Sequence, residues 1–243
     1  MSKPLSRDAV KLAAMATMAC NHFALALMPY ATLWREVLVD IGYFTAVTMC
    51  YFLVEGYHYT RSRKAYALRL LGFGVVAQPI YLAALGVNQL NMLFTLFFCF
   101  LLIWAMDAFA GRWYRYPAAA ALVLVTAWCD WPVLAAGFTL LFVVCGPLGR
   151  RWTGACFVMA AALFFAFNYT NYAAVGWEPA AAACHAGWSC VGILAAGAVI
   201  LFLYNGKRSA FGLRHPRLSK YFFYAFYPGH LALLAVARLV LMH

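Results

Sequence analysis

The stretch Lys11 to Tyr30, KLAAMATMACNHFALALMPY, decides how this chain is read. It is an apolar run of membrane-spanning length, interrupted by one adjacent polar pair, Asn21 and His22. An ionisable residue inside a span costs roughly 2 to 3 kcal/mol or more, so such a residue is by default read as functional. The rest of the chain is then scaffold, substrate access and charge complement for that histidine.

Working outward, the composition removes a water-exposed globule from consideration. Hydrophobic residues make up 67% of the chain, charged residues 10%, and the mean hydropathy is +0.80. A span needs about 20 mainly apolar residues. Runs of that kind fall at roughly 9–29, 37–57, 66–86, 91–109, 116–130, 132–147, 153–170, 181–204 and 222–241. The expectation is an all-α integral membrane protein, a bundle of about nine transmembrane helices over 1–243, with no separate soluble domain. The fifth and sixth runs are short and are separated only by Asp130-Trp131-Pro132, so a re-entrant hairpin is the alternative there.

Charge gives an independent reading, because short cytoplasmic loops collect Lys and Arg. With the N-terminus in the cytoplasm and nine spans, all of the 18 basic residues except Arg35 and Arg238 fall on the inner side. The same alternation puts Asp40, Asp130, Glu178 and the C-terminal His243 outside. The net charge of +11 therefore reflects topology and attraction to anionic headgroups of the lipid bilayer, and calls for no nucleic-acid partner. The basic run Arg61, Arg63, Lys64 with Arg69 has a second use, gripping phosphates of a soluble donor. The eight cysteines lack ligand spacing and read as small buried hydrophobes, with a Cys184–Cys190 disulfide as the alternative.

Asn21, His22, Glu55, Gln78, Asn91, Asn168 and His230 remain as polar residues inside spans. At a rise of about 1.5 Å per residue, His22 lies about 5 Å beyond the middle of its span and His230 within about 3 Å of its own. Gln78 lies just outward of the middle of the third span, and Asn91 opens the fourth from the outer side. A neutral buried imidazole suits proton transfer near neutral pH. No acid is placed at that depth, so no metal is expected. Glu55 and Asp107 are read as ion-pair partners of nearby arginines, Asp107 with Arg112.

These positions resemble the TraX family of polytopic membrane proteins, whose founding member is associated with acetylating the N-terminus of conjugative pilin. The likeness is carried by Met18-Ala-Cys-Asn-His22; by Phe52-Leu-Val-Glu-Gly56 with Thr60-Arg61-Ser-Arg63-Lys64, Tyr66, Arg69 and Ala77-Gln78-Pro79; by Asn91-Met-Leu-Phe-Thr95; and by Phe226-Tyr-Pro-Gly-His-Leu231. Two positions depart from the family: Asn21 stands where Asp is usual, and Tyr43 where Gly is usually followed by Arg. The resemblance implies a bacterial inner-membrane acetyltransferase that moves acetyl from cytoplasmic acetyl-CoA to an amine or hydroxyl, with a pilin or fimbrial subunit as acceptor. In that scheme His22, His230, Asn21 and Asn91 are catalytic, and Arg61, Arg63, Lys64, Arg69 and Gln78 bind the donor. His22 takes the acceptor's proton or is itself acetylated in a ping-pong route, while His230 and Asn91 polarise the carbonyl or position the acceptor. A non-catalytic scaffold or chaperone for pilus assembly and a proton-coupled transporter are the competing classes.

Overall fold

A computed structural model describes residues 3–30 and 32–242; His243, expected on the outer side, lies outside them. The described chain is helical: α1 Arg7–Leu27, α2 Leu33–Tyr59, α3 Arg63–Leu85, α4 Met92–Ala108, α5 Arg115–Val125, α6 Leu134–Cys145, α7 Arg150–Ala174, α8 Pro179–Ala198, α9 Ala210–Arg214 and α10 Pro216–Met242. Six of these helices, α1, α2, α3, α7, α8 with its continuation to Leu203, and α10, are long and apolar enough to cross a membrane. The helix α4 is shorter, at 17 residues.

Local chemistry sets the ends. Ser6 accepts from the Ala9 N–H at 3.3 Å to start α1, Ser62 accepts from Ala65 to start α3, and Glu178 accepts from Ala180 and Ala181 ahead of Pro179 on α8. Each side chain satisfies amides that the first helical turn leaves unpaired. Gly86 closes α3 in the left-handed region at φ 67°, its N–H bonded to Leu82 O at 2.9 Å.

The expected fifth and sixth spans resolve as α5 and α6, of 11 and 12 residues. At about 1.5 Å per residue each reaches some 17–18 Å, short of a hydrocarbon core of about 30 Å. Between them lie a 3-10 turn, Thr126–Trp128, and a turn in which Trp131 and Val133 hold φ of 59° and 61°, unusual for residues other than glycine. The inner-side loop expected before α10 contains α9, whose cap Ser209 is held by Asp8: Oδ2 accepts from the Ser209 N–H at 2.8 Å and from its hydroxyl at 2.6 Å.

The chain forms two compact units. One comprises the residues up to Thr48 with Leu148–Phe223; the other comprises Met49–Pro147 with the segment from Tyr224 onward. In the first, α8 packs along α7 and reaches α2 at Gly192, where an added Cβ would lie 2.7 Å from Asp40 O and 2.8 Å from Phe44 N. In the second, α4 packs on α3, α5 and α6. All eight cysteines are free; Cys190 is buried, with Sγ 3.2 Å from Ala161 O, and Cys184 is exposed.

Candidate active site

The second unit gathers its polar residues at the α3–α4 corner. Pro79 inside α3 lacks the N–H that would bond back to Val75, which opens the helix locally. There Asn91 caps α4, its Oδ1 accepting from the Leu93 N–H at 3.0 Å. Its side-chain amide donates to Gly74 O and to Gln78 Oε1, each at 2.8 Å, and its backbone N–H donates to Gln78 Oε1 at 2.9 Å. Gln78 Nε2 donates to Gln89 O at 2.8 Å, and Gln89 Nε2 to the Tyr81 hydroxyl at 2.9 Å. Asn91 is fully buried, so this network supplies partners that solvent cannot.

The helix α10 joins the same corner. The Tyr227 hydroxyl accepts from the Met92 N–H at 3.3 Å, and the His230 ring lies one turn further on, 5.7 Å from the Tyr227 ring. His230 is 8% exposed and stacks on Phe226 at 5.0 Å. Its Nδ1 lies 2.9 Å from Phe226 O. A carbonyl oxygen can only accept, so a neutral ring donates from Nδ1 and keeps its lone pair on Nε2.

The α5–α6 turn forms the third side. Leu90 N–H donates to Trp128 O at 3.0 Å and Asp130 N–H to Leu90 O at 2.6 Å. The Thr95 hydroxyl donates to Asp130 O at 2.6 Å, and the Thr126 hydroxyl accepts from the Val133 N–H at 3.3 Å. Asp130 keeps some surface exposed while protein packs densely around its carboxylate. That burial pushes its carboxyl up to about 6, against a hydrogen bond from the Trp131 N–H that favours the anion. The carboxylate is within electrostatic reach of the Tyr81 and Tyr227 hydroxyls.

At the other end of α3 lies the basic run. Arg61, Arg63 and Lys64 are exposed and Arg69 is half-buried. Arg63 pairs with Asp107 at 2.9 Å and lies over the Tyr57 ring at 4.4 Å, while the Tyr57 hydroxyl donates to Asp107 at 2.7 Å. Asp107 thus takes Arg63 from the neighbouring helix, and not the expected Arg112, which donates to the Tyr114 hydroxyl.

Asn21 and His22 belong to the first unit. His22 is buried, and the Asn21 amide donates to Val39 O on α2 at 2.9 Å, where Gly42 leaves room for it. Of the expected site residues, the structure joins Gln78 to Asn91 directly, places His230 on α10 one turn beyond the Tyr227 that reaches Met92, and sets Arg63, Lys64 and Arg69 toward the far end of α3 with Arg61 just ahead of it. Asp130, Tyr81, Gln89 and Tyr227 were not anticipated. For Asp130 the available signal was two apolar runs too short to cross, meeting at a Trp-Pro break. Among the described residues no three His, Cys, Asp or Glu side chains are grouped to hold a metal.

Comparison with known proteins gives two matches. The family model described as TraX protein matches residues 6–238. A curated relative from Dichelobacter nodosus, named "Probable fimbrial assembly protein FimC, serogroup H1", is 30% identical over 250 residues, covering 96% of this chain and 95% of the relative. No solved structure matches the chain.

Proposed function

The chain belongs to the TraX family, and from that premise we propose that it is a bacterial inner-membrane acetyltransferase acting on the amine of a pilin or fimbrial subunit. The single observation that carries the reading is the layout of α3. Arg61 lies just ahead of it and its first turns present Arg63, Lys64 and Arg69, while Gln78, about 14 Å further along the axis than Arg69, closes the corner with Asn91 that Tyr227 of α10 also reaches. Guanidinium and ammonium groups suit the phosphates of acetyl-CoA, and the thioester end then enters the helical unit.

The chemistry is acyl transfer to nitrogen. His230 Nε2 takes one proton from the acceptor ammonium; the amine attacks the thioester carbonyl; a C–N bond forms as the C–S bond breaks. The second proton lost from nitrogen goes to the departing thiolate, and the imidazolium returns its proton to water. Such proton transfer contributes about 10² to 10⁴ in rate. Asn91 and Gln78 hold the corner with amides already engaged, which makes them positioning residues. His22, in the first unit, is the other buried imidazole, and paired variants separate the two roles.

The test is acetyl transfer from isotopically labelled acetyl-CoA to an amine-terminated peptide by the purified full-length protein, beside His230→Ala and His22→Ala. Turnover that collapses in H230A supports this reading, and label retained on the protein identifies a ping-pong route. A donor that neither binds nor turns over leaves assembly scaffolding, the role in the name of the D. nodosus relative, as the better account.

A further inference from the structure

Three spanning segments of the first unit have ends that meet: α1 begins at Arg7, the continuation of α8 stops at Leu203, and α10 begins at Pro216. The chain around those ends is folded into a shelf by its own hydrogen bonds. Leu5 N–H donates to Leu203 O and Asn205 N–H to Leu5 O, each at 2.9 Å, and Arg7 N–H donates to Lys207 O at 2.7 Å. Asp8 Oδ2 holds the Ser209 cap of α9, and the Ser219 hydroxyl of α10 reaches Asp8 Oδ1 at 3.5 Å. Gly212 packs so closely here that an added Cβ would meet Asp8 Oδ2.

The acid is consumed within the shelf, and bases are left on its surface. Residues 3–11 and 203–223 together hold eight Lys or Arg against Asp8 as their one acid. Arg7 is engaged with the Tyr204 hydroxyl at 3.3 Å and Lys11 with the Phe223 ring at 5.3 Å. Lys207, Arg214 and Arg217 are exposed, and among the described residues their side chains make no hydrogen bond, ion pair or ring contact. On α10, Arg217 stands two positions before the buried Ser219 and so on the opposite side of a helix of about 3.6 residues per turn. Interleaved with these bases, Phe211, Leu213 and Leu218 are each more than half exposed. Such a mixture, at the ends of spans, suits the boundary between headgroups and acyl chains: the charges meet phosphate while the apolar side chains enter the hydrocarbon edge. A soluble phosphate would engage the bases and leave the three apolar side chains in water.

We propose that this shelf is a docking surface for anionic phospholipid headgroups, whose phosphates pair with Lys207, Arg214 and Arg217 while Phe211, Leu213 and Leu218 lie against the acyl chains. The proposal does not rest on acetyl transfer, and its test uses no acetyl-CoA.

The experiment uses the full-length protein in mixed micelles with fluorescent phosphatidylglycerol or phosphatidylcholine, and a photoactivatable phosphatidylglycerol for mapping. The parent is expected to prefer phosphatidylglycerol. Arg214→Gln with Arg217→Gln is expected to weaken that binding about 25-fold at low salt, at about fivefold for each charge removed near a lipid surface, with phosphatidylcholine binding unchanged. Arg112→Gln, which removes an exposed base on the connection between α4 and α5, is expected to keep the preference. Melting curves establish that the variants fold, and photo-crosslinking of the parent, which needs no variant, is expected to label residues 207–222. Equal binding of the two lipids by the parent, an unaltered preference in the folded double variant, or an equal loss in R112Q overturns the proposal. Labelling confined to other segments overturns it too, as does inorganic phosphate that displaces the lipid as effectively as unlabelled phosphatidylglycerol.

Discussion

Gln78 Oε1 accepts two hydrogen bonds from Asn91, one from its backbone N–H at 2.9 Å and one from its side-chain amide at 2.8 Å. One oxygen thus ties the open turn of α3 to the first turn of α4. Gln78→Ala removes that oxygen and the donor to Gln89 O together. Each buried group left without a partner costs about 1–3 kcal/mol, so Q78A is expected to lower the melting temperature in detergent and to reduce acetyl transfer with it. Gln78→Glu, which keeps the acceptor, is expected to retain more of both. Equal melting of Q78A and parent would remove the corner from the account.

A pH-dependent stability is expected from Asp130. Its folded-state value, about 6, lies above the ordinary 3.8. The folded chain therefore holds a proton that the unfolded chain has lost between those values. That contribution to stability is present below about 4 and disappears as pH rises through about 6. Melting temperatures of parent and D130N, compared from about pH 5 to about pH 7.5, are expected to diverge in favour of D130N at the upper end. A parent that gains on D130N as pH rises would contradict the burial assigned to this carboxyl.

Helix contact in the first unit depends on Gly192. A methyl group there would meet Asp40 O and Phe44 N, both backbone atoms that cannot swing aside, whereas at Gly187 on the same helix α8 it would meet nothing within 4 Å. Small residues let helices approach closely, and forced overpacking costs about 1–3 kcal/mol. Gly192→Ala is expected to melt lower than the parent and Gly187→Ala to match it within the small helix-propensity gain. Indistinguishable melting of the two would show that α2 and α8 are not so close.

The basic run offers a binding prediction. Arg63 is shared with Asp107, while Arg61 and Lys64 extend from the start of α3. Arg61→Ala with Lys64→Ala is expected to weaken acetyl-CoA binding and flatten its salt dependence, since exposed charges are screened as ionic strength rises. Asp107→Asn frees Arg63 and is expected to leave binding unchanged or tighten it, at a stability cost of about 0–1 kcal/mol for this half-exposed pair. Titrations at two salt concentrations read both effects.

Much of this was legible in the residues. The apolar run at 66–86 corresponds to α3, and Asn91, expected to open the fourth span, caps α4. Asp130 was not legible as a site residue. Hydropathy treats an acid between two apolar runs as loop, and the two hydrogen bonds that clamp it come from Leu90 and Thr95, 35 or more positions away in the chain. Asp107 went to the wrong arginine for a related reason. Proximity in sequence favoured Arg112, but the ends of α3 and α4 bring Arg63 to 2.9 Å. Asp8 gave no sign that it would hold Ser209 at 2.6 Å, because the two residues lie 201 positions apart.

The most direct test of the central claim is the fate of the acetyl group. Purified parent protein, with labelled acetyl-CoA and an amine-terminated peptide, is expected to release free thiol and label the peptide. His230→Ala is expected to reduce both by about 10² to 10⁴ while still binding the donor. Thiol release and peptide labelling at parental rate in H230A, or none in the parent, would contradict the account.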